Sequence, residues 1–96
     1  MNQLEKIQHL KKDIYQIAQR YNAGKVYVFG SCARKEETKG SDIDLLVEFL
    51  PQATLFDQVH IKDELEALLS CKVDVVSRRA LNPYIKKNIL AEAIAL

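Results

Sequence analysis

Cysteine, histidine and excess charge are all scarce in this chain. Its 96 residues include two cysteines, Cys32 and Cys71, too few for a disulfide scaffold or a self-contained zinc site. The expectation is two reduced thiols, as in the cytosol. A nucleophilic role for Cys32 lacks a base, because the two histidines, His9 and His60, fall in polar helical surroundings and read as helix-surface residues. A formal net charge of +1 argues against bulk DNA as a partner. No apolar run approaches the roughly 18 residues a membrane span needs. The opening residues Met1 to Lys6 lack the apolar core of a signal peptide, which points to a cytoplasmic protein. Repeats, linkers and low-complexity segments are missing too, so the whole span 1–96 reads as one domain.

What is present is a regular alternation of helices and strands. Leu4, Ile7, Leu10, Ile14, Ile17, Ala18 and Tyr21 recur at helical spacing and predict one helix over 2–21. Asn22-Ala23-Gly24 reads as its stop, with Gly24 in the left-handed cap. The run 25–29 is branched and aromatic, hence a strand. Gly30-Ser31 breaks it, 32–37 suits a short helix, and 38–41 a turn. A second strand over 42–49 alternates, sending Ile43, Leu45 and Val47 to one face and Asp42, Asp44, Leu46 and Glu48 to the other. Thr54-x-x-Asp57 resembles a capping box opening a helix over 54–70, whose buried side is expected to include Leu55, Phe56, Val59, Leu65, Leu68 and Leu69. A third strand over 72–76 and a last helix over 81–95, with Pro83 in its first turn, complete the order αβαβαβα. This is an α/β (α+β) domain with a short mixed sheet of about three strands flanked by helices.

The chemistry concentrates between residues 26 and 49. Residues two apart in a strand project from one face, with Cα atoms about 6.6 Å apart. Asp42 and Asp44 therefore aim at one point, where two unpaired carboxylates repel. A divalent cation relieves that conflict, and magnesium accepts a few carboxylates together with water and phosphate oxygens. Asp74, between Val73 and Val75 on the third strand, is the candidate third acid and proton acceptor. Glu48 shares the Asp42 face but lies farther along and reads as surface. Gly30 lets the backbone approach a phosphate closely. Amide groups beyond it favour an anion, and Ser31 and Arg34 can add a hydroxyl and a planar fork. Neither a Walker loop nor a three-glycine dinucleotide fingerprint is present.

Gly30-Ser31, then Ser41-Asp42-Ile43-Asp44-Leu45, then Asp74 on a later strand resemble the DNA polymerase beta-type nucleotidyltransferase superfamily, in particular its small stand-alone branch, the minimal nucleotidyltransferases. The resemblance implies a polymerase beta-like fold and transfer of AMP from ATP to a hydroxyl with two magnesium ions. It assigns phosphate binding to Gly30, Ser31, Arg34 and Ser41, and metal binding and catalysis to Asp42, Asp44 and Asp74. Members commonly carry glycine after the Ala-Arg pair, whereas Lys35 follows Ala33-Arg34 here. About twenty residues follow Asp74, which leaves no acceptor domain in this sequence and makes a partner chain the expected source of the acceptor. Minimal nucleotidyltransferases are commonly paired with a helical HEPN-type RNase toxin. The resemblance thus implies the antitoxin of a type VII-like pair, adenylylating a toxin tyrosine. Two other readings are a non-catalytic antitoxin that neutralises by contact, and a nucleotidyltransferase acting on a small molecule or RNA.

Overall fold

The computed structural model describes residues 2–34 and 42–96. Ser41, Lys35 and the expected turn at 38–41 lie outside the described residues. Two helices open the chain, α1 (Gln3–His9) and α2 (Lys11–Arg20), where the apolar stripe predicts one. The break falls at Leu10, whose N–H is shared between the carbonyls of Ile7 and Lys6, both at 3.1 Å. Each piece still buries its own part of the stripe: Leu4 and Ile7 from α1, Ile14, Ile17 and Ala18 from α2. Asn2 caps α1, accepting from the Glu5 N–H at 2.8 Å.

The left-handed residue after α2 is Asn22, with φ of 58°, rather than Gly24. Asparagine tolerates this region because its short amide can bond locally. Here its Nδ2 donates to Asp57 Oδ2 at 3.2 Å. Gly24 is instead part of strand β1 (Ala23–Phe29), which starts two residues earlier than its branched core suggests. Helix α3 (Gly30–Ala33) follows directly, and strand β2 (Ile43–Phe49) begins one residue after Asp42.

Helix α4 spans Leu55–Leu69 and strand β3 spans Val73–Ser77. The inward side of α4 is Ile61, Leu65 and Leu69, each fully buried. Leu55, Phe56 and Val59, expected inside, are 79%, 77% and 56% exposed. Polar residues take their place in the first turns. Asp57 accepts from the Thr54 N–H at 2.9 Å, and Gln58 Nε2 donates to the Val75 carbonyl at 3.1 Å. Those bonds fix the rotation of α4 and turn its first apolar residues outward.

A 3-10 turn (Arg78–Ala80) leads to helix α5 (Pro83–Glu92), capped by Asn82, which accepts from the Tyr84 N–H at 2.8 Å. The chain turns extended at Ala93, and Ile94–Ala95 form a fourth strand, β4, so the last helix is shorter than expected. The sheet order is β3-β2-β1-β4, with β2/β3 parallel and the other two pairings antiparallel. The element order is ααβαβαβαβ, a mixed sheet of four strands rather than about three. The core lies under one face, where Val26, Val28, Ile43, Leu45, Val47 and Val73 meet α1, α2 and α4. No described helix is long and apolar enough to cross a membrane.

Candidate active site

Two strand registers assemble the site. Phe29 on β1 pairs with Asp44 on β2, and Asp44 pairs with Asp74 on β3. Asp44 therefore lies between the glycine turn and the third acid. Alternation along β2 sends Ile43 and Leu45 into the core and leaves Asp44 half-buried on the opposite face. Asp42 is exposed just before the strand, and Asp74 is exposed as the second residue of β3. Because β3 is an edge strand, Asp74 needs no buried-charge explanation; its register with Asp44 marks it.

Gly30 has φ of +72°, and a Cβ there would lie 2.3 Å from Asp44 Oδ2. Glycine is thus required for both backbone conformation and space. The close approach brings the start of α3 against the acid pair.

The Asp44 carboxyl is held above the ordinary carboxylate range. Burial is the largest cause, followed by the negative charges of Asp74 and Asp42 and a hydrogen bond with Asp74; Arg34 opposes them. This is the electrostatic conflict that a cation or a shared proton resolves. Among the described residues, no three His, Cys, Asp or Glu side chains are arranged to hold a metal ion by themselves. The donor set of Asp42, Asp44 and Asp74 is nevertheless all oxygen. It suits a hard cation such as magnesium, which is held by one or two carboxylates and completed by water and substrate phosphates.

Ser31 is half-buried in α3, and Arg34 closes that helix, its N–H donating to the Gly30 carbonyl at 3.2 Å. The expected phosphate-binding groups thus cluster at one end of β1, while Ser41 lies outside the described residues. Cys32 is 1% exposed and belongs to the core, which removes it as a nucleophile. Burial raises the Cys71 thiol, the reverse of activation. His9 and His60 are exposed, as expected.

Sequence reasoning missed two charged groups. Glu92, at the end of α5, accepts from the Gly30 N–H at 3.1 Å and from Arg34 Nη1 at 2.9 Å. Its one signal was being the only acid of the final helix. Glu48, read as surface, is half-buried and paired with Arg78, and the Tyr27 hydroxyl donates to it at 3.3 Å. A shallow cleft of about 340 Å³ lies there, lined by Glu48, Phe49, Arg78, Arg79 and Lys86. None of the three aspartates lines this cleft.

Comparison with known proteins identifies the family. The "Polymerase beta, Nucleotidyltransferase" family model matches residues 12–96. "Putative protein adenylyltransferase MJ0435" of Methanocaldococcus jannaschii is 40% identical over 88 residues, 92% of this chain and 95% of that protein. A solved structure described as a "putative minimal nucleotidyltransferase" superposes with a TM-score of 0.88 at 42% identity, covering 100% of this chain and 97% of its own. The Shewanella oneidensis complex of a tri-AMPylated HEPN toxin with its MNT antitoxin shares the fold, with a TM-score of 0.69 at 18% identity over 92% of this chain and 69% of that one. The chain belongs to the polymerase beta nucleotidyltransferase family.

Proposed function

We propose that this protein is a magnesium-dependent adenylyltransferase that moves AMP from ATP to a tyrosine hydroxyl of a HEPN-type RNase toxin, as the antitoxin of that pair in the cytoplasm. One observation carries the reading: Gly30, in a conformation and a space only glycine fits, is pressed against Asp44 within a repelling acid pair. The name of the M. jannaschii relative supports protein adenylylation. The AMPylated HEPN toxin in the Shewanella complex supports the partner.

Gly30, Ser31, Arg34 and Ser41 bind the triphosphate. Asp42 and Asp44 would hold both magnesium ions, and Asp74 would help to hold the catalytic one. When bound, the magnesium ions supply positive charge that favours ionisation of the attacking hydroxyl and departure of pyrophosphate. Asp74 orients the tyrosine hydroxyl and takes its proton as the oxygen bonds to the α-phosphorus. The bond from that phosphorus to the bridging oxygen breaks, and pyrophosphate leaves. Arg34 balances charge on the leaving group.

The test is intact-mass measurement of a co-expressed HEPN partner after incubation with ATP and magnesium. The expected result is a gain of AMP on the partner, lost when Asp42→Asn and Asp44→Asn are combined. Unchanged modification and neutralisation by that double variant would end the enzymatic reading and leave neutralisation by contact.

A further inference from the structure

Glu92 occupies groups that the proposal above assigns to the triphosphate. Its Oε1 accepts from the Gly30 N–H at 3.1 Å and its Oε2 from Arg34 Nη1 at 2.9 Å. A carboxylate with one oxygen on a backbone amide and the other on a guanidinium has the anion geometry a phosphate would adopt there. A single N–H cannot serve both acceptors at full strength, so nucleotide and Glu92 compete. The neighbourhood makes the placement more telling. Asp44, Asp74 and Asp42 already crowd negative charge beside Gly30, and a further carboxylate is held there by these two donors.

Glu92 is also tethered on both sides. It ends α5, and after Ala93 the chain pairs into the sheet through Val28↔Ile94 and Tyr27↔Ala95. Tyr15 reinforces the join: its hydroxyl donates to the Leu96 carbonyl at 3.1 Å and accepts from the Val26 N–H at 3.2 Å. The carboxylate is thereby delivered to Gly30 by strand pairing.

We infer that Glu92 is a built-in autoinhibitory ligand of the phosphate cradle, displaced when a nucleoside triphosphate binds, so that nucleotide binding loosens the end of α5. This rests on the proposal that Gly30 and Arg34 receive phosphate.

Calorimetric titration of AMP-PNP with magnesium into the wild-type chain, Glu92→Ala and Glu92→Gln tests it. Both variants are expected to bind about threefold to tenfold more tightly, the scale of one charge-assisted hydrogen bond no longer competing. Glu92→Gln keeps the side chain's size and serves if Glu92→Ala fails to fold. Amide hydrogen exchange supplies a second readout. AMP-PNP should speed exchange at residues 92–93 in the wild type and change little in Glu92→Gln. Equal or weaker nucleotide binding by the folded variants would overturn the inference and make Glu92 a support that positions Arg34. Absence of AMP-PNP binding by the wild type would overturn the nucleotidyltransferase reading and this inference with it.

Discussion

Replacing Gly30 with alanine separates the demands of the fold from those of the chemistry. The backbone there has φ of +72°. An L-residue in the left-handed region costs about 1–2 kcal/mol. The new methyl would also sit 2.3 Å from Asp44 Oδ2, against the 3.4 Å at which ordinary contact begins. About 1 Å of movement is therefore needed, and the half-buried Asp44 side chain is the softest element available. Its displacement breaks the hydrogen bond with Asp74 and disturbs the acid pair. The expected stability loss is about 1–3 kcal/mol, and in a domain of this size each kcal/mol lowers Tm by about 4–8 °C. Adenylyl transfer should fall much further, by about 100-fold in kcat/KM, since a displacement of this size at reacting groups costs that much. Thermal melting followed by transfer assays well below both melting points measures the two effects. Gly24→Ala is the control, because its Cβ would meet the Glu48 carbonyl at 3.3 Å and Leu50 Cδ2 at 3.8 Å, and no aspartate. A Gly30→Ala protein whose kcat/KM stays within about threefold of wild type, under 1 kcal/mol of barrier, would refute the assignment of this turn to the site.

Asp44→Asn should stabilise the metal-free protein at neutral pH while abolishing transfer. The folded-state pKa of Asp44 is raised, so its protonated form contributes stability present below the ordinary carboxylate range and lost as pH rises through the raised value. The stability gain over wild type should therefore vanish below the ordinary carboxylate range and grow above it, reaching about 1 kcal/mol or less because solvent still screens the half-exposed group; a variant less stable than wild type at pH 7 contradicts this. Asn22→Ala should destabilise the fold by about 1 kcal/mol through its left-handed backbone alone, read from denaturant midpoints at unchanged m-value, whereas Asn22→Gly should remove that strain.

Local pattern carried much of the fold because the first half of β2 alternates between core and site faces. Ile43, Leu45 and Val47 point inward, and the acids at 42 and 44 follow from the same period. Elements set by tertiary bonds were not legible. The sequence from Ala91 to Leu96 favours helix locally, yet the free edge of β1 draws Ile94 and Ala95 into pairing. On α4, Leu55 and Phe56 look like core until Asp57 and Gln58 find partners at Asn22, Thr54 and Val75. The break at Leu10 has neither proline nor glycine to announce it. In the site, Gly30, Asp44 and Asp74 were readable from their spacing. Glu92 was not, because nothing local ties the end of the last helix to a turn more than sixty residues earlier.

The acids repel, so they cannot be what brings themselves together. Their positions are dictated from the other face of the sheet. Ile43 pairs with Val73 and Leu45 with Val75, on either side of the Asp44–Asp74 pair. Ile43 and Val73 are each 1% exposed and Leu45 is fully buried. Burying one such side chain stabilises by about 1.5–3 kcal/mol, whereas two like charges about 4 Å apart repel by about 1 kcal/mol where water screens them. A one-residue slip of β2 against β3 would relieve the repulsion but turn the whole apolar set to solvent. The core therefore wins the register by a wide margin, and the sheet holds the charge conflict in place. What remains adjustable is the carboxylates' protonation and pairing, which is where the proposed cation and triphosphate would act.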